Sequence, residues 1–248
     1  MTQHDTKTTD FGFKDIPEDQ KAQEVHAVFD SIAANYDRMN DILSFGLHRV
    51  WKKRCIESAD LKPGMKVLDL ASGTADLAMA EAERVGDSGE VYATDVNQAM
   101  LDIGAKRIEE RKLPVKTMLC DAEAIGFEDN HFDVVTVSFG LRNMTHKDRV
   151  LSEMLRVLKP GGRALILEFS KVNAFVRPFY DIYSLRVMPL IGKWVAHDEE
   201  SYRYLPESIR RHPSQEVLAE MMGKAGFTDV TWRNFTFGVC ALHIGKKP

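Results

Sequence analysis

The chain has 248 residues, of which 44% are hydrophobic and 28% are charged, and its formal net charge is −4. This length and balance indicate one large α/β domain with a well-buried core. The longest basic block has three residues (Lys52, Lys53 and Arg54), which argues against a general nucleic-acid-binding protein. The three cysteines are scattered, so they predict neither a disulfide framework nor a zinc site.

The scattered cysteines fit a protein of the reducing cytoplasm, and the hydropathy pattern predicts no signal peptide and no membrane span. The first residues are polar and lack the apolar core of a signal peptide, and no run reaches the roughly 18 apolar residues that span a membrane. Four basic residues could meet anionic lipid at the inner face of the membrane, although a solvated helix face is the simpler interpretation. They are Arg49, Lys52, Lys53 and Arg54.

The N-terminal part of the chain is predicted to be helical after a polar start. Residues 1–19 are interpreted as a flexible tail, followed by a single domain over 20–248. Apolar residues at helical spacing predict helices over about 20–36 and 48–59, which together form a helical cap over 20–60.

Strands and helices alternate over 61–170, which we interpret as the cofactor-binding core. The strand candidates are 66–70, 90–95, 115–119, 132–138 and 163–169. The helical stretches between them are about 76–85, 98–111 and 146–158. Because each strand is followed by a crossover helix, the pattern predicts parallel strands in a doubly wound α/β sheet.

The alternation of predicted strands and helices ends after residue 170. Residues 171–212 are predicted to form a lid-like insertion, and 213–248 a C-terminal helix with an antiparallel hairpin. Within the insertion, 174–192 is dense in apolar residues but too short to span a bilayer. This run is either a buried core helix or an apolar wall for a hydrophobic substrate.

The loop after the first core strand points to a nucleoside-containing cofactor. Residues 69–75 read Asp-Leu-Ala-Ser-Gly-Thr-Ala between a strand and a helix, and Asp95 closes the next strand. Small residues let the backbone approach a ligand, and the acid can accept hydrogen bonds from both ribose hydroxyls. The alternative is a plain structural turn.

The acidic residues near this loop favour S-adenosylmethionine over a dinucleotide. Asp69 directly precedes the loop, where its carboxylate would repel a pyrophosphate, whereas a sulfonium and an ammonium group suit it. Asp121 and Ala122 follow the third strand, where a carboxylate can accept a hydrogen bond from an adenine amine. A helix cap is an equally good interpretation of Asp121.

Two groups of residues are candidates for the chemistry. Arg142 and Asn143 follow the fourth strand, at the edge where sheets of this class bind ligands, although a structural salt bridge would also explain Arg142. Tyr36, Asp37 and His48 lie in the helical cap, whose density of hydrogen-bonding side chains is unusual for a solvated helix. His48 taken alone is better explained as a structural residue.

Two long motifs resemble those of the UbiE family of ubiquinone/menaquinone C-methyltransferases. Residues 36–51 read Tyr-Asp-x-Met-Asn-x-x-Leu-Ser-x-x-x-His-x-x-Trp. Residues 156–170 read Arg-Val-Leu-Lys-Pro-Gly-Gly, five further residues, and Glu-Phe-Ser. The segment 138–143 also looks like that family's, and the resemblance covers roughly 20–248.

The resemblance implies a class I S-adenosylmethionine-dependent methyltransferase: an α/β fold with a mostly parallel seven-stranded sheet and a terminal antiparallel hairpin. Ser72 and Ala75 replace two glycines that are usual in the family's loop, which predicts a weakened or rearranged loop if position 75 needs positive φ. With the residues above, the motifs give the candidate cofactor contacts as Asp69, Ala71, Gly73, Thr74, Asp95, Val96, Asp121, Ala122 and Ser138.

The resemblance also implies the substrate and reaction. Members methylate a ring carbon of polyprenyl quinols, namely demethylmenaquinol and 2-polyprenyl-6-methoxy-1,4-benzoquinol, and the sulfonium donor requires no metal. Arg142 is then expected to stabilise the developing phenolate and Asn143 to orient it, with Tyr36, Asp37 and His48 as candidate proton relays.

Several alternatives stay open at this point. The sheet could serve a nicotinamide-dependent oxidoreductase, a methyltransferase acting on another small acceptor, or a non-catalytic scaffold subunit that binds the cofactor. Peripheral membrane contact, a quinone-biosynthesis complex and a homo-oligomer are equally compatible with the sequence.

Overall fold

A computed structural model describes residues 7–248 of the chain, so the prediction for residues 1–6 lies outside the described part. Its strands are β1 (Thr8–Phe11), β2 (Lys14–Pro17), β3 (Lys66–Leu70), β4 (Glu90–Asp95), β5 (Val115–Leu119), β6 (Phe132–Ser138), β7 (Leu158–Phe169), β8 (Thr228–Phe235) and β9 (Cys240–Lys246). Its α-helices are α1 (Glu18–Ile32), α2 (Tyr36–Ser44), α3 (Leu47–Ala59), α4 (Asp76–Val85), α5 (Gln98–Arg111), α6 (Lys147–Val157), α7 (Arg177–Ile182), α8 (Met188–Ile191), α9 (Glu199–Arg211) and α10 (Gln215–Ala225).

Seven strands form one sheet in the order β5-β4-β3-β6-β7-β9-β8. The first five strands of this sheet pair in parallel, and β9 pairs antiparallel with both β7 and β8. The predicted doubly wound sheet with a terminal antiparallel hairpin is thereby confirmed. The chain runs from β3 outward to β5 and then returns to add β6 on the other side of β3. This switch point leaves a crevice at the carboxyl ends of β3 and β6, where such sheets bind ligands.

Helices cover both faces of the sheet because its central strands are apolar on both sides. Along β3, Val67 packs into the core beneath α3 and α4, whereas Leu68 and Leu70 pack into the core beneath α6 and α10. All three side chains are fully buried. The sheet is therefore held rigidly on both sides, which fixes the positions of the loops at its carboxyl edge.

The N-terminal residues correct the prediction of a flexible tail over 1–19. Within the described part, β1 and β2 form an antiparallel hairpin and α1 begins directly after it. The Phe11 ring stacks on Tyr204 with centroids 4.5 Å apart, and the Phe13 amide donates to Glu207 at 3.0 Å. The hairpin is held by residues of α9 that lie far along the chain. Its own polar composition therefore does not predict that these residues are ordered.

The insertion folds into one helical segment followed by α9. The segment comprises α7, a π-helical turn over Tyr183–Val187, α8, and a second π-helical turn over Gly192–Ala196. It is buried on one side, through Ser184 and Met188 for example, and exposed on the other. The buried side agrees with the interpretation as a core helix, whereas the interpretation as a wall for an apolar substrate stays a prediction. Among the described residues, no helix has the length and apolar character needed to cross a membrane.

Candidate active site

Two cavities adjoin at the carboxyl edge of the sheet. One, of about 380 Å³, lies at the ends of β3 to β6 and is covered by α1; we call it the strand-end cavity. The other, of about 350 Å³, lies among α2, α3, α9 and the helical segment of the insertion, and its walls are mostly apolar; we call it the apolar cavity. Phe29, Tyr36 and Phe139 line both cavities, so the two cavities are direct neighbours.

Asp95 organises the strand-end cavity. Its Oδ2 accepts a hydrogen bond from the Gly73 amide at 2.8 Å, and its Oδ1 accepts one from the Asn97 amide at 2.9 Å. Burial raises the pKa of this carboxyl, while the backbone hydrogen bonds oppose that shift. Each carboxylate oxygen has two acceptor positions, so both keep capacity for a ligand hydroxyl.

The loop beside Asp95 is shaped for close approach of a ligand. Gly73 has φ +56°, and a Cβ there would lie 3.2 Å from Met100 Cε. At the next strand end, a Cβ on Gly140 would lie only 2.5 Å from Ala71 Cβ. Seven of the predicted cofactor residues line this cavity, so the residues present fit a nucleoside with a short polar arm. They are Ala71, Gly73, Asp95, Val96, Asp121, Ala122 and Ser138.

Two predicted cofactor contacts are contradicted, because Asp69 and Thr74 do not reach the cavity. The Asp69 side chain is fully buried on the α4 side of the sheet, where its Oδ1 accepts from Thr136 Oγ1 at 2.9 Å. The Thr74 hydroxyl donates to Asp37 Oδ1 at 2.8 Å and is almost fully buried. The electrostatic reason for rejecting a pyrophosphate therefore loses its force, since the Asp69 carboxyl points away from the ligand.

Asp69 belongs instead to a buried pair of carboxyls. Thr136 Oγ1 lies 2.9 Å from Asp69 Oδ1 and 2.8 Å from Glu81 Oε1. A hydroxyl has one hydrogen, so both contacts are hydrogen bonds only if one carboxyl is protonated and donates. Burial raises the pKa of Asp69 to about 7 and that of Glu81 well above its usual range. The pair therefore retains a proton near neutral pH.

This pair predicts a loss of stability as pH rises. Its pKa values are higher in the folded than in the unfolded state, so its stabilising effect is complete below the unfolded value of about 4 and is lost as pH rises from there through about 7. We expect Glu81→Gln to remove much of this decline and to be more stable than the unchanged protein at about pH 8. Denaturant titrations at several pH values measure this. The control is Glu83→Gln, an exposed glutamate on the same helix, and parallel profiles for all three proteins would contradict the assignment.

The loop over residues 69–75 keeps stabilising contacts although Ser72 and Ala75 replace two glycines that are usual in the family. Ala75 does adopt positive φ (+63°), at a cost on the order of 1 kcal/mol, but its methyl group is buried against the core. The Ser72 hydroxyl donates to the Asp69 carbonyl at 2.8 Å and accepts from the Thr94 amide at 3.0 Å. Ser72 thus joins the ends of β3 and β4, which offsets part of the cost of positive φ at Ala75. The effect of the two changes on cofactor affinity stays a prediction.

We expect Ser72→Ala to lower the free energy of unfolding by about 1–2 kcal/mol, because the Thr94 amide and the Asp69 carbonyl each lose a hydrogen-bonding partner. Denaturant unfolding measures this. Ser152→Ala, on the exposed part of α6, is the control and should change stability by less than about 0.5 kcal/mol. Equal effects of the two substitutions would show that the bridge contributes nothing.

Asp37 is not placed to relay protons. Its carboxylate accepts from Thr74 Oγ1 at 2.8 Å and from an Arg107 guanidinium nitrogen at 3.0 Å, and it lines neither cavity. Arg107 also binds Asp76 at 2.5 Å. Asp37 therefore links α2 to the loop over residues 69–75, so its role is to position that loop.

The other four candidates for the chemistry do line a cavity. Tyr36, His48 and Arg142 line the apolar cavity, whereas Asn143 lines the strand-end cavity and accepts from the Tyr204 hydroxyl at 3.0 Å. Arg142 pairs with the buried Glu168 at 3.0 Å, so it both makes a structural salt bridge and faces the cavity. Its charge is held in place by that carboxylate.

His48 is a neutral acceptor in this setting. Its Nδ1 lies 2.8 Å from Ser44 Oγ, and its Nε2 lies 3.7 Å from Asp41 Oδ1. Desolvation, followed by the nearby Lys52 charge, lowers the pKa of His48. The imidazole is therefore unprotonated at neutral pH and able to take up a proton.

Three buried donor atoms, in residues that line the apolar cavity, have no partner among residues 7–248. They are the hydroxyls of Tyr180 and Tyr202 and the Nε of Arg142, all in residues that line the cavity. Burial raises the pKa of Tyr180 to about 12, so its hydroxyl keeps its hydrogen. A tyrosine inside an apolar run carries a polar tip that usually finds a partner, which was the only sequence signal for Tyr180. The cavity suits a largely apolar ligand with acceptor oxygens.

Curated relatives match this chain over nearly its whole length. The ubiquinone/menaquinone biosynthesis C-methyltransferase UbiE of Paraburkholderia phytofirmans is 55% identical over 239 residues, covering 96% of this chain and 98% of that protein. The UbiE protein of Laribacter hongkongensis is 54% identical, with coverage of 97% and 99%.

Solved structures share the fold at lower identity. A SAM-dependent methyltransferase from Thermotoga maritima has a TM-score of 0.64 and 18% identity, covering 90% of this chain and 99% of that one. A SAM-dependent methyltransferase from Aquifex aeolicus has a TM-score of 0.58 and 20% identity, with coverage of 79% and 89%. Residues 16–247 match the family model for ubiE/COQ5 methyltransferases. The chain therefore belongs to the ubiE/COQ5 methyltransferase family.

Proposed function

We propose that this methyltransferase moves the methyl group of S-adenosylmethionine to a ring carbon of a polyprenyl quinol, either demethylmenaquinol or 2-polyprenyl-6-methoxy-1,4-benzoquinol. The observation that carries the proposal is the apolar cavity with three unpartnered donors beside the strand-end cavity. A quinol has an apolar tail and two ring oxygens, so it matches both properties. The names of the relatives support the same class of substrate.

The strand-end cavity is the proposed cofactor site. Asp95 would accept hydrogen bonds from the ribose hydroxyls, Asp121 would accept from the adenine amine, and Ala122 would pack against the adenine ring. The bare backbone at Gly73 leaves room for the amino-acid arm. When bound, S-adenosylmethionine supplies a methyl group that its positive sulfur already activates for attack by a carbon nucleophile.

The chain contributes positioning and proton transfer. His48 takes the phenolic proton, which leaves a phenolate and raises the electron density on the neighbouring ring carbon. Arg142 Nε and the hydroxyls of Tyr180 and Tyr202 donate hydrogen bonds to the ring oxygens, so they stabilise that charge. With S-adenosylmethionine in the strand-end cavity, the ring carbon would take the methyl group as the carbon–sulfur bond breaks, and S-adenosylhomocysteine would be the leaving group. The ring carbon would then lose its proton to water, which restores aromaticity, and His48 would return its proton to the ring oxygen.

Replacing Tyr180 by Phe should affect the free protein and the complex in opposite directions. Removing a buried hydroxyl that has no partner should leave stability unchanged or raise it by about 1 kcal/mol. Losing its hydrogen bond to the substrate should weaken quinol binding about fivefold. Denaturant unfolding and steady-state KM measure the two effects. A loss of stability with an unchanged KM would show that Tyr180 is only structural.

Titration calorimetry tests the cofactor separately. We expect binding of S-adenosylmethionine and no binding of NADH, which excludes the oxidoreductase alternative. The reverse result would contradict the cofactor assignment. Cofactor binding without methyl transfer to any quinol would instead favour the scaffold alternative.

A further inference from the structure

Five aromatic side chains from the end of α2, the insertion and the turn between β8 and β9 are unusually exposed. Phe45, Phe175, Phe179, Trp194 and Phe237 are 77%, 83%, 71%, 79% and 71% exposed. We call them the aromatic rim. Soluble proteins seldom leave several large apolar side chains bare together, so such a group indicates a surface that contacts something apolar.

The rim is continuous with the apolar cavity. Phe45, Phe179 and Phe237 line that cavity as well as being exposed, so they mark its mouth. The chain just before Phe175 meets Phe237, since the amide of Asn173 donates to the Phe237 carbonyl at 2.8 Å. Trp194 lies further along the helical segment that also carries Phe179. Phe45, Phe179 and Phe237 therefore expose apolar side chains at the mouth of a cavity whose lining is mostly apolar.

The charge on the insertion segment is positive, although the chain as a whole is negative. Arg177, Arg186 and Lys193 are exposed on it, and neither arginine forms an ion pair within the described part of the chain. Lys193 lies 3.5 Å from Glu199. The acidic residue of the segment, Asp181, is neutralised by Arg210 at 2.6 Å. Free cations among exposed aromatic side chains match the headgroup region of an anionic bilayer.

The basic run near residue 50 is a poorer candidate for lipid contact. Arg49 pairs with Asp41 at 2.6 Å, Lys52 with Asp76 at 3.0 Å, and Arg54 with Glu57 at 2.8 Å. These cations already have partners on the protein. Lys53 alone of the four is exposed without an ion pair in the described part of the chain, so this run offers fewer free cations than the insertion segment.

We propose that the aromatic rim docks on an anionic lipid bilayer, with its rings at headgroup depth and the mouth of the apolar cavity turned to the acyl chains. This inference rests on the proposed quinol methylation, because it explains how a water-insoluble tail enters the cavity. A prenyl chain passes from lipid to protein without crossing water. Arg177 and Arg186 hold the protein against the headgroups.

Vesicle sedimentation of the full chain tests the docking. With vesicles of equimolar phosphatidylcholine and phosphatidylglycerol, the unchanged protein should bind, and it should bind less to phosphatidylcholine alone. The double variant Phe175→Ser/Trp194→Ser should lose at least about tenfold in partitioning. Neither residue lines the cavity, so methyl transfer to a short-tailed quinol in buffer should stay unchanged.

A matched control has the same residue types elsewhere on the surface. Phe13→Ser/Trp232→Ser removes side chains that are 51% and 42% exposed, and it should bind vesicles like the unchanged protein. Arg177→Glu/Arg186→Glu should weaken binding to the anionic vesicles without loss of folding.

Three results would overturn the proposal: no vesicle binding by the unchanged protein, equal losses in the rim and control variants, or a dimer in solution that the rim variant dissociates. The last result would make the rim a subunit interface. A failure of the proposed function has a different signature, namely vesicle binding through the rim without methyl transfer to any quinol.

Discussion

Replacing Arg142 by Ala is expected to lower methyl transfer by about 100-fold and the free energy of unfolding by about 3–5 kcal/mol. Turnover falls because the phenolate loses a charged donor. Stability falls because the buried Glu168 loses its partner at 3.0 Å and is left as an unpaired charge. Cofactor affinity should change little, since Arg142 does not line the strand-end cavity. Single-turnover kinetics, denaturant unfolding and calorimetry measure the three quantities.

Arg142→Lys separates the two roles of the side chain. A lysine can keep a charge beside Glu168 but lacks the planar guanidinium and its Nε donor. We expect most of the stability to return while turnover stays about tenfold low. If turnover followed stability in both variants, Arg142 would act only through the fold.

Replacing Asp95 by Ala is expected to weaken the binding of S-adenosylmethionine by at least about 100-fold. The variant removes the acceptor for the ribose hydroxyls, and it also leaves the Gly73 and Asn97 amides without their partner. The loop should therefore lose both its ligand contact and its shape. Titration calorimetry measures the affinity directly.

Asp121→Asn is the matched control for this cofactor prediction. Its amide oxygen can still accept a hydrogen bond from the adenine amine, so affinity should fall by no more than a few-fold. If Asp95→Ala bound the cofactor as well as the unchanged protein, or if Asp121→Asn lost as much, the assignment of the ribose contact would be wrong.

The sheet was predictable because its signals are local. The core strands are short apolar runs bounded by turns, and the observed bounds of β3, β4, β5 and β6 equal the predicted ones. The N-terminal hairpin was not predictable in this way. It depends on Tyr204 and Glu207, which lie almost the whole chain away, so no window of the sequence contains the reason for it.

The error over Asp69 could have been avoided from strand geometry. Successive side chains of a strand point to opposite faces, so Asp69 shares a face with Val67. That face packs beneath α4, which brings Glu81 and the register neighbour Thr136 to the same place. An acid next to a loop was interpreted as facing the ligand, whereas the alternation places it in the core.

The sequence could not predict which polar groups come together at the apolar cavity. Tyr180 and Tyr202 come from different helices of the insertion, and their meeting depends on the turn between α8 and α9. At Gly192, beside that turn, a Cβ would lie 2.5 Å from Tyr202 Cβ, so the close packing there needs glycine. Only the tertiary structure brings these hydroxyls to the cavity that Arg142 also lines.

The most direct test of quinol C-methylation uses S-adenosylmethionine with an isotope-labelled methyl group and each of the two quinols. Magnetic resonance of the extracted product reports which atom carries the label. We predict a methyl group bound to a ring carbon of at least one quinol. Labelling of a ring oxygen, or no transfer to either quinol, would contradict the account.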